Sequence, residues 1–288
     1  MRAGIHLWNY TTPEGESPIA RTVADTATTA EAGGFSQFTV MDHWFQMEAA
    51  GDPAEPMLEA FTTLGYVAAV TSRMRLGPLV TGVTYRHPGL LAKIATTLDV
   101  LSQGRSVLGL GAAWYEREHH ALGVPYPGLG ERFERLEEAL KVVTQMWSDD
   151  NGPYEGEHYS LNETLNSPRA VSSPHPPIMI GGRGEKKTLR LAAQYAQIVN
   201  LTAFDPDDVA HLLDVLRGHC DGLGTDYDAI EKQIMATRLQ PDSEEFWPTM
   251  ERLAGLGIDL VVFGVRPGDQ VATTSRLAEV VLPRLAEL

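Results

Sequence analysis

The chain has 288 residues, 43% of them hydrophobic, enough to bury one large core and within the length that α/β barrels occupy as a single domain. Its 23 basic and 38 acidic side chains give a formal net charge of −15, which excludes the broad basic footprint that non-specific nucleic-acid binding requires. Cys220 is the only cysteine, which excludes an internal disulfide and a cysteine zinc cluster.

Taken in chain order, apolar spacing and turn residues predict a strand at 3–8, then a helix at 18–33 that ends in Gly-Gly. A short strand at 38–41 runs into Asp42, His43 and Trp44, and a helix follows at 57–70. Next come a strand at 76–81 and a helix at 87–102, with Pro88 at a tolerated first-turn position. A strand at 106–110 leads to a helix at 132–147, whose Phe133, Leu136, Leu140 and Val143 share one face. The second half repeats the rhythm: strands at 178–180, 198–201, 234–239 and 260–265, each followed by a helix, at 187–195, 206–223, 243–256 and 270–285. Eight strands, each followed by a helix, call for parallel pairing and predict a (β/α)8 TIM barrel over residues 1–288 as one domain. The alternative is an open doubly wound sheet, but no GxGxxG turn follows the first strand. Residues 148–176, rich in Asp, Asn, Gly, Ser and Pro, read as a loop insertion between the fourth helix and the fifth strand, with a strand-like patch at 158–161. Apolar runs such as Val67 to Val70 are far too short to cross a bilayer, and polar residues interrupt the N-terminus early, so a cytoplasmic protein is expected.

Active sites of α/β barrels lie at the C-terminal ends of the strands. That rule selects His6, Trp8 and Asn9 after the first strand, and Asp42, His43 and Trp44 after the second. It selects Thr81, Gly82, Tyr85, Arg86 and His87 after the third, and Gly111, Ala112, Ala113 and Trp114 after the fourth, with Glu116 and Glu118 beyond. The collection is aromatic, holds several histidines and has few carboxylates, which suits a flat aromatic cofactor better than a sugar or a metal. His43 is the candidate general acid/base, because imidazole titrates near neutrality. The opposing reading has Asp42 capping a helix and His43 packing, since neighbours on a strand point to opposite faces and Asp42 need not orient His43. Trp44 and Trp114 either flank a planar ring or pack as ordinary aromatic residues. His119 and His120 are neighbours in sequence, which even on a helix would not face one point, so a metal site there is not expected. Gly104 and Arg105 with Asp99 predict a structural turn and an ion pair at the other end of the barrel.

The fifth strand is followed by Gly181, Gly182, Arg183 and Gly184 and then by a helix start. Strand, glycine turn and helix together make an anion site, because free N–H groups and the positive helix end point at one spot. Arg183, Lys186 and Lys187 add positive charge there, unless the lysines are simply solvated helix residues.

Four segments now carry a resemblance: FTVMDHW at 38–44, LGPLVTGVTYRHP at 76–88, DVLSQGRSVLGLGAAW at 99–114 and PIMIGGRGEKK at 177–187. In this order they resemble the bacterial-luciferase-like superfamily, in its branch of F420-dependent oxidoreductases from actinobacteria. The resemblance implies an enzyme that transfers a hydride between the deazaflavin coenzyme F420 and a small, apolar organic substrate. An FMN-dependent monooxygenase on the same barrel is the alternative. It implies a non-prolyl cis peptide at Leu79–Val80, His43 as the catalytic residue, and a cofactor site of Asp42, Leu79, Val80, Thr81, Gly111, Ala112, Gly181, Gly182, Arg183, Gly184, Lys186 and Lys187. His6, Trp8, Trp44, Tyr85 and Trp114 would form the substrate pocket, no metal is implied, and a homodimer is expected. A glutamate that follows the fourth-strand glycines in sugar-phosphate dehydrogenases of this superfamily is replaced here by Trp114, so that substrate class is not expected. The cations Arg183, Lys186, Lys187 and Arg190 favour the polyanionic glutamyl tail of F420 over FMN.

Overall fold

In the computed structural model, which describes residues 1–236 and 240–288, strands and helices alternate along the chain. The order is β1 (Arg2–Leu7), α1 (Ile19–Gly33), β2 (Gln37–Val40), α2 (Ala60–Val70), β3 (Arg75–Pro78), β4 (Thr81–Gly82), α3 (Pro88–Leu101) and β5 (Leu108–Gly111). Then come α4 (Glu116–Leu122), α5 (Leu129–Met146), β6 (Tyr154–Glu155), β7 (Ser160–Leu161), β8 (Ile178–Gly181), α6 (Thr188–Tyr195) and β9 (Ile198–Leu201). The chain closes with α7 (Pro206–Leu223), β10 (Glu231–Ala236), α8 (Phe246–Gly255), β11 (Leu260–Gly264), α9 (Gln270–Val280) and α10 (Leu282–Leu285).

Nine strands form one parallel sheet in the order β3-β2-β1-β11-β10-β9-β8-β5-β4. β3 and β4 are two halves of one barrel strand, separated by the cis Leu79–Val80 peptide. The sheet closes where Leu76 donates its amide to Arg105 O at 2.8 Å and accepts from the Val107 amide at 2.8 Å. This is the barrel that the alternation of strands and helices predicts. Its outer faces are sealed by residues such as Ile5, Phe38, Leu76, Leu108 and Ile180.

The differences have local causes. Helix α4 is absent from the sequence prediction because it is seven residues long and mostly polar, burying only Glu118 and His119. The last predicted helix, 270–285, divides into α9 and α10 at Val281, next to a proline in the first turn of α10 that cannot supply an amide to the preceding turn. Strand β10 starts three residues before the apolar run at 234, since Glu231, Lys232 and Gln233 conceal it; residues 237–239 lie outside those described. The insertion lies between α5 and β8 and carries the antiparallel β6–β7 hairpin.

The turn at 103–104 exists, with φ of 60° at Gln103 and 84° at Gly104, but the expected Asp99–Arg105 ion pair does not. Asp99 Oδ2 accepts the amides of Val171 and Ser172 at 2.7 and 2.9 Å, pinning the insertion to α3. Arg105 donates to the carbonyls of Ala68, Thr71 and Met74 at 3.0–3.1 Å. Each group finds a better match there: a carboxylate takes paired amides, and a guanidinium fork takes the free carbonyls where α2 ends.

The barrel floor is polar and fully cross-linked. Gln37 and Gln233 exchange amide hydrogen bonds at 3.1 Å across the lumen. Glu231 accepts two bonds from Arg75, at 2.7 and 3.0 Å, and one from Arg2 at 2.7 Å. Burial pushes the Glu231 carboxyl up, but the two guanidiniums and Gln233 outweigh it and hold it down at about 2. A carboxyl whose folded pKa is depressed contributes stability above its unfolded value, and this contribution is lost as pH falls toward the folded value. Stability should therefore drop between about pH 4.5 and pH 2, by an amount on the order of 3 kcal/mol from this group. Melting curves of the parent and of Glu231→Gln over that range check this: the variant should show the shallower acid dependence.

Candidate active site

His43 leaves the C-terminal end of β2 and is 7% exposed. Its Nδ1 lies 2.7 Å from Glu118 Oε1, and the Tyr85 hydroxyl lies 3.0 Å from the same nitrogen. Tyr85 also donates to Glu118 Oε1. The second oxygen, Oε2, accepts the Trp44 amide at 2.6 Å and the Phe45 amide at 3.3 Å. Burial raises the Glu118 carboxyl, but His43, Tyr85 and the Trp44 amide more than offset this and hold it below the usual range. An ionised Glu118 only accepts, so Nδ1 of His43 carries the proton and Nε2 is free to exchange one with a ligand. The same contacts raise the Tyr85 hydroxyl, first through burial and then through the Glu118 charge, so it remains a donor.

Aromatic rings close around this group. Trp114 and Tyr115 meet His43 edge-on at 5.4 and 5.7 Å, and Trp114 is 60% exposed, so it stands at the mouth. Trp44 leans the other way, onto Tyr85 at 4.6 Å and His119 at 5.4 Å. His119 is held by Tyr115 O and Thr84, and among the described residues no group of three or more His, Cys, Asp or Glu could hold a metal.

His6 projects from β1 toward the lumen. Thr39 donates its hydroxyl to Ile5 O at 3.1 Å, so it must accept from His6 Nδ1 at 3.0 Å, which leaves His6 Nε2 as an acceptor. Burial, helped by His43, lowers the His6 pKa to about 4, and its imidazole is neutral at physiological pH. Trp8 lines a separate cleft of about 470 Å³ beside Phe263 and Arg266. Asp42, expected at the cofactor, already has both oxygens on Arg86, at 2.6 and 3.1 Å.

The glycine turn lies on the same rim, at the C-terminal end of β8. Gly182 has φ 137° and donates to Asn200 O at 3.0 Å. The amides from Arg183 to Thr188 have no acceptor among the described residues. Glycine permits close approach: a Cβ at Gly184 would lie 2.7 Å from Thr188 Oγ1, and one at Gly181 3.0 Å from Val80 Cγ1. The turn opens onto a cleft of about 500 Å³ shared with Leu129, Gly130 and Phe133 of α5. Lys186 has no partner among the described residues, Lys187 lies over the Phe133 ring at 5.6 Å, and Arg183 meets Asp208 at 3.3 Å with both side chains exposed. Deeper in, Val80 is ringed by bare backbone at Gly109, Gly111 and Gly181; Thr81 is buried in β4, and Ala112 O accepts from Arg132.

Sequence reasoning missed Glu118 and Thr188. Glu118 was visible only as a carboxylate past the fourth strand, and nothing local ties it to His43, 75 residues away. Thr188 had a signal, the hydroxyl at the first helical position after a glycine turn.

A family model described as luciferase-like monooxygenase matches residues 1–240. The chain belongs to this family. An uncharacterized protein of Mycobacterium tuberculosis is 31% identical over 298 residues, covering 96% of this chain and 98% of that one. An F420-dependent glucose-6-phosphate dehydrogenase of Kineococcus radiotolerans is 37% identical over 170 residues, covering 57% of this chain and 48% of that enzyme. The coenzyme F420 dependent tetrahydromethanopterin reductase of Methanopyrus kandleri superposes with a TM-score of 0.80 at 18% identity, over 99% of both chains. Within this luciferase-like family, then, the barrel and an enzymatic oxidoreductase role are shared, and the family spans F420-dependent and monooxygenase members. No helix among the described residues is long and apolar enough to cross a membrane.

Proposed function

We propose that this luciferase-like protein is an F420-dependent oxidoreductase that transfers a hydride to or from a small, apolar organic substrate, with His43 moving the accompanying proton. The carrying observation is that the amides from Arg183 to Thr188 and the Lys186 ammonium, none with a partner among the described residues, share one rim with a histidine already oriented by a buried carboxylate. The fit to a phosphorylated ligand rests on Gly184, whose missing side chain lets the Thr188 hydroxyl approach the turn, and on the cleft of about 500 Å³ that the turn opens onto. The amides of Arg183 and Gly184, with Lys186, Lys187 and the Thr188 hydroxyl, would hold the phosphate, and Val80, Gly111 and Ala112 would seat the ring. The bound deazaflavin supplies the hydride chemistry. The chain's own groups do the rest. Glu118 and Tyr85 fix the His43 tautomer, so that Nε2 gives or takes the proton. Trp114 and Tyr115 pack edge-on against the His43 ring, and neutral His6 adds no competing charge. The apolar, aromatic walls support an uncharged substrate, in a cytoplasmic enzyme assembled as a homodimer.

FMN-dependent oxygenation is the second reading. It is favoured by Asp208 on Arg183 and by Glu185 within the turn, both of which thin the cationic path that a polyglutamyl tail needs. Equilibrium titration with each cofactor at low and high salt tests the choice. F420 should bind more tightly at low ionic strength and lose affinity steeply as salt shortens the Debye length to about 8 Å and below. Tighter FMN binding at every salt concentration, with rapid reoxidation of the reduced complex in air, would replace the proposal with the second reading.

A further inference from the structure

Asn200 is the last residue but one of β9, beside the glycine turn and in register with Gly181. Its carbonyl accepts the Gly182 amide, and its side chain faces the lumen. Alternation along β9 places it on the same side as Ile198, which packs with Val107 and Met179 against Leu79 and Val80. The neighbouring strand agrees: Gln233, in register with Asn200, points into the lumen to meet Gln37. Asn200 is 3% exposed, and its Nδ2 is buried with no hydrogen-bond partner among the described residues. Proteins rarely leave a buried amide donor without an acceptor, and the exceptions call for an explanation.

Among the described residues, the polar side chains His6, Thr39, Gln37 and Gln233 of the lumen are engaged. His6 and Thr39 bond to each other, and Gln37 and Gln233 are paired below them. Beside Asn200 the glycines let Val80 pack directly against backbone: a Cβ at Gly111 or Gly181 would lie 3.0 Å from it. The free donor thus sits on the route from the open amides of the turn to the ring seat at Val80. A half-turn about its terminal torsion exchanges Nδ2 with Oδ1, two ends of similar size, so the donor can be presented at either position.

We propose that Asn200 is a further cofactor-binding residue, whose amide donates to a hydroxyl of the polyol chain linking a flat ring to its phosphate. The inference rests on the proposed function, but it holds for either cofactor, since F420 and FMN share that chain. The apo site keeps an unsatisfied donor because the ligand supplies its acceptor.

The test uses the full-length protein and two variants, Asn200→Leu and Asn200→Ala. Apo melting curves are paired with equilibrium titrations of F420, of FMN, and of lumichrome, a ring that lacks the polyol chain. The expected result is an affinity for the cofactor bound by the parent that falls at least about tenfold in both variants. Lumichrome affinity should stay unchanged, and the apo melting temperature of Asn200→Leu should equal or exceed that of the parent, because an unpaired buried amide has been removed. Unchanged cofactor affinity overturns the proposal. So does an equal loss for lumichrome, which would place the acceptor on the ring. Loss in Asn200→Leu alone would mean a steric block, and a lowered apo melting temperature in both variants would mean a structural role; either overturns it. A parent that binds neither phosphorylated cofactor overturns the proposed function itself.

Discussion

Replacing His43 by Ala should lower turnover by about 10²–10⁴-fold while leaving cofactor affinity within a few-fold of the parent. The split is expected because the anion-binding amides lie on the β8–α6 turn, whereas His43 belongs to the loop after β2. Glu118→Gln should fall less far than His43→Ala. Glutamine keeps the volume and one acceptor, but it removes the charge that balances an imidazolium and offers the Trp44 amide a weaker partner. Tyr85→Phe leaves the 2.7 Å His43–Glu118 contact in place and should cost least of the three. Steady-state kinetics beside cofactor titration read the two quantities separately. A His43→Ala enzyme with parental turnover would remove His43 from the reaction. One that lost binding and turnover in equal measure would make it a cofactor ligand instead.

The parts of the site that could be read from the sequence are those encoded in short runs. Gly181, Gly182 and Gly184 announce a turn because a Cβ there has no room, and the alternation of apolar runs with amphipathic segments announces the barrel. His43 was visible because it follows a strand end, where barrel sites lie. Its orienting partner was not, since the sequence neighbour Asp42 turns away to Arg86 while Glu118 arrives from α4. The same limit applies at the floor, where Arg2, Arg75 and Glu231 meet from strands far apart in the chain. It also explains the Asp99–Arg105 error: proximity in sequence suggested a pair, and the fold gave each residue backbone partners instead. Trp44 and Trp114 looked equivalent in sequence, yet one packs onto Tyr85 and the other caps His43, a difference set by the loops that carry them.

Removing the Arg86 guanidinium should destabilise the protein by about 3–5 kcal/mol, since it leaves a carboxylate buried without its partner. Asp42 is 1% exposed and takes two bonds from Arg86, which also reaches Thr81 Oγ1 at 3.1 Å and pairs with Glu59. Desolvation alone would lower the Arg86 pKa, but Asp42 and then Glu59 reverse it, so the cation is held firmly. Glu59 in turn caps α2 through the Thr62 amide at 2.6 Å. One guanidinium therefore ties the end of β2, the start of α2 and the loop after β4, and two of those segments carry His43 and Tyr85. Arg86→Met fills the volume over the Phe61 ring but strands Asp42, whereas adding Asp42→Asn removes the stranded charge. The double variant should thus be more stable than Arg86→Met alone, by urea denaturation. Its activity should stay low, because neither loop is cross-linked any longer. If Arg86→Met unfolds within about 1 kcal/mol of the parent, the ion pair contributes no more than a surface contact, and the placement of His43 and Tyr85 must come from Glu118 alone.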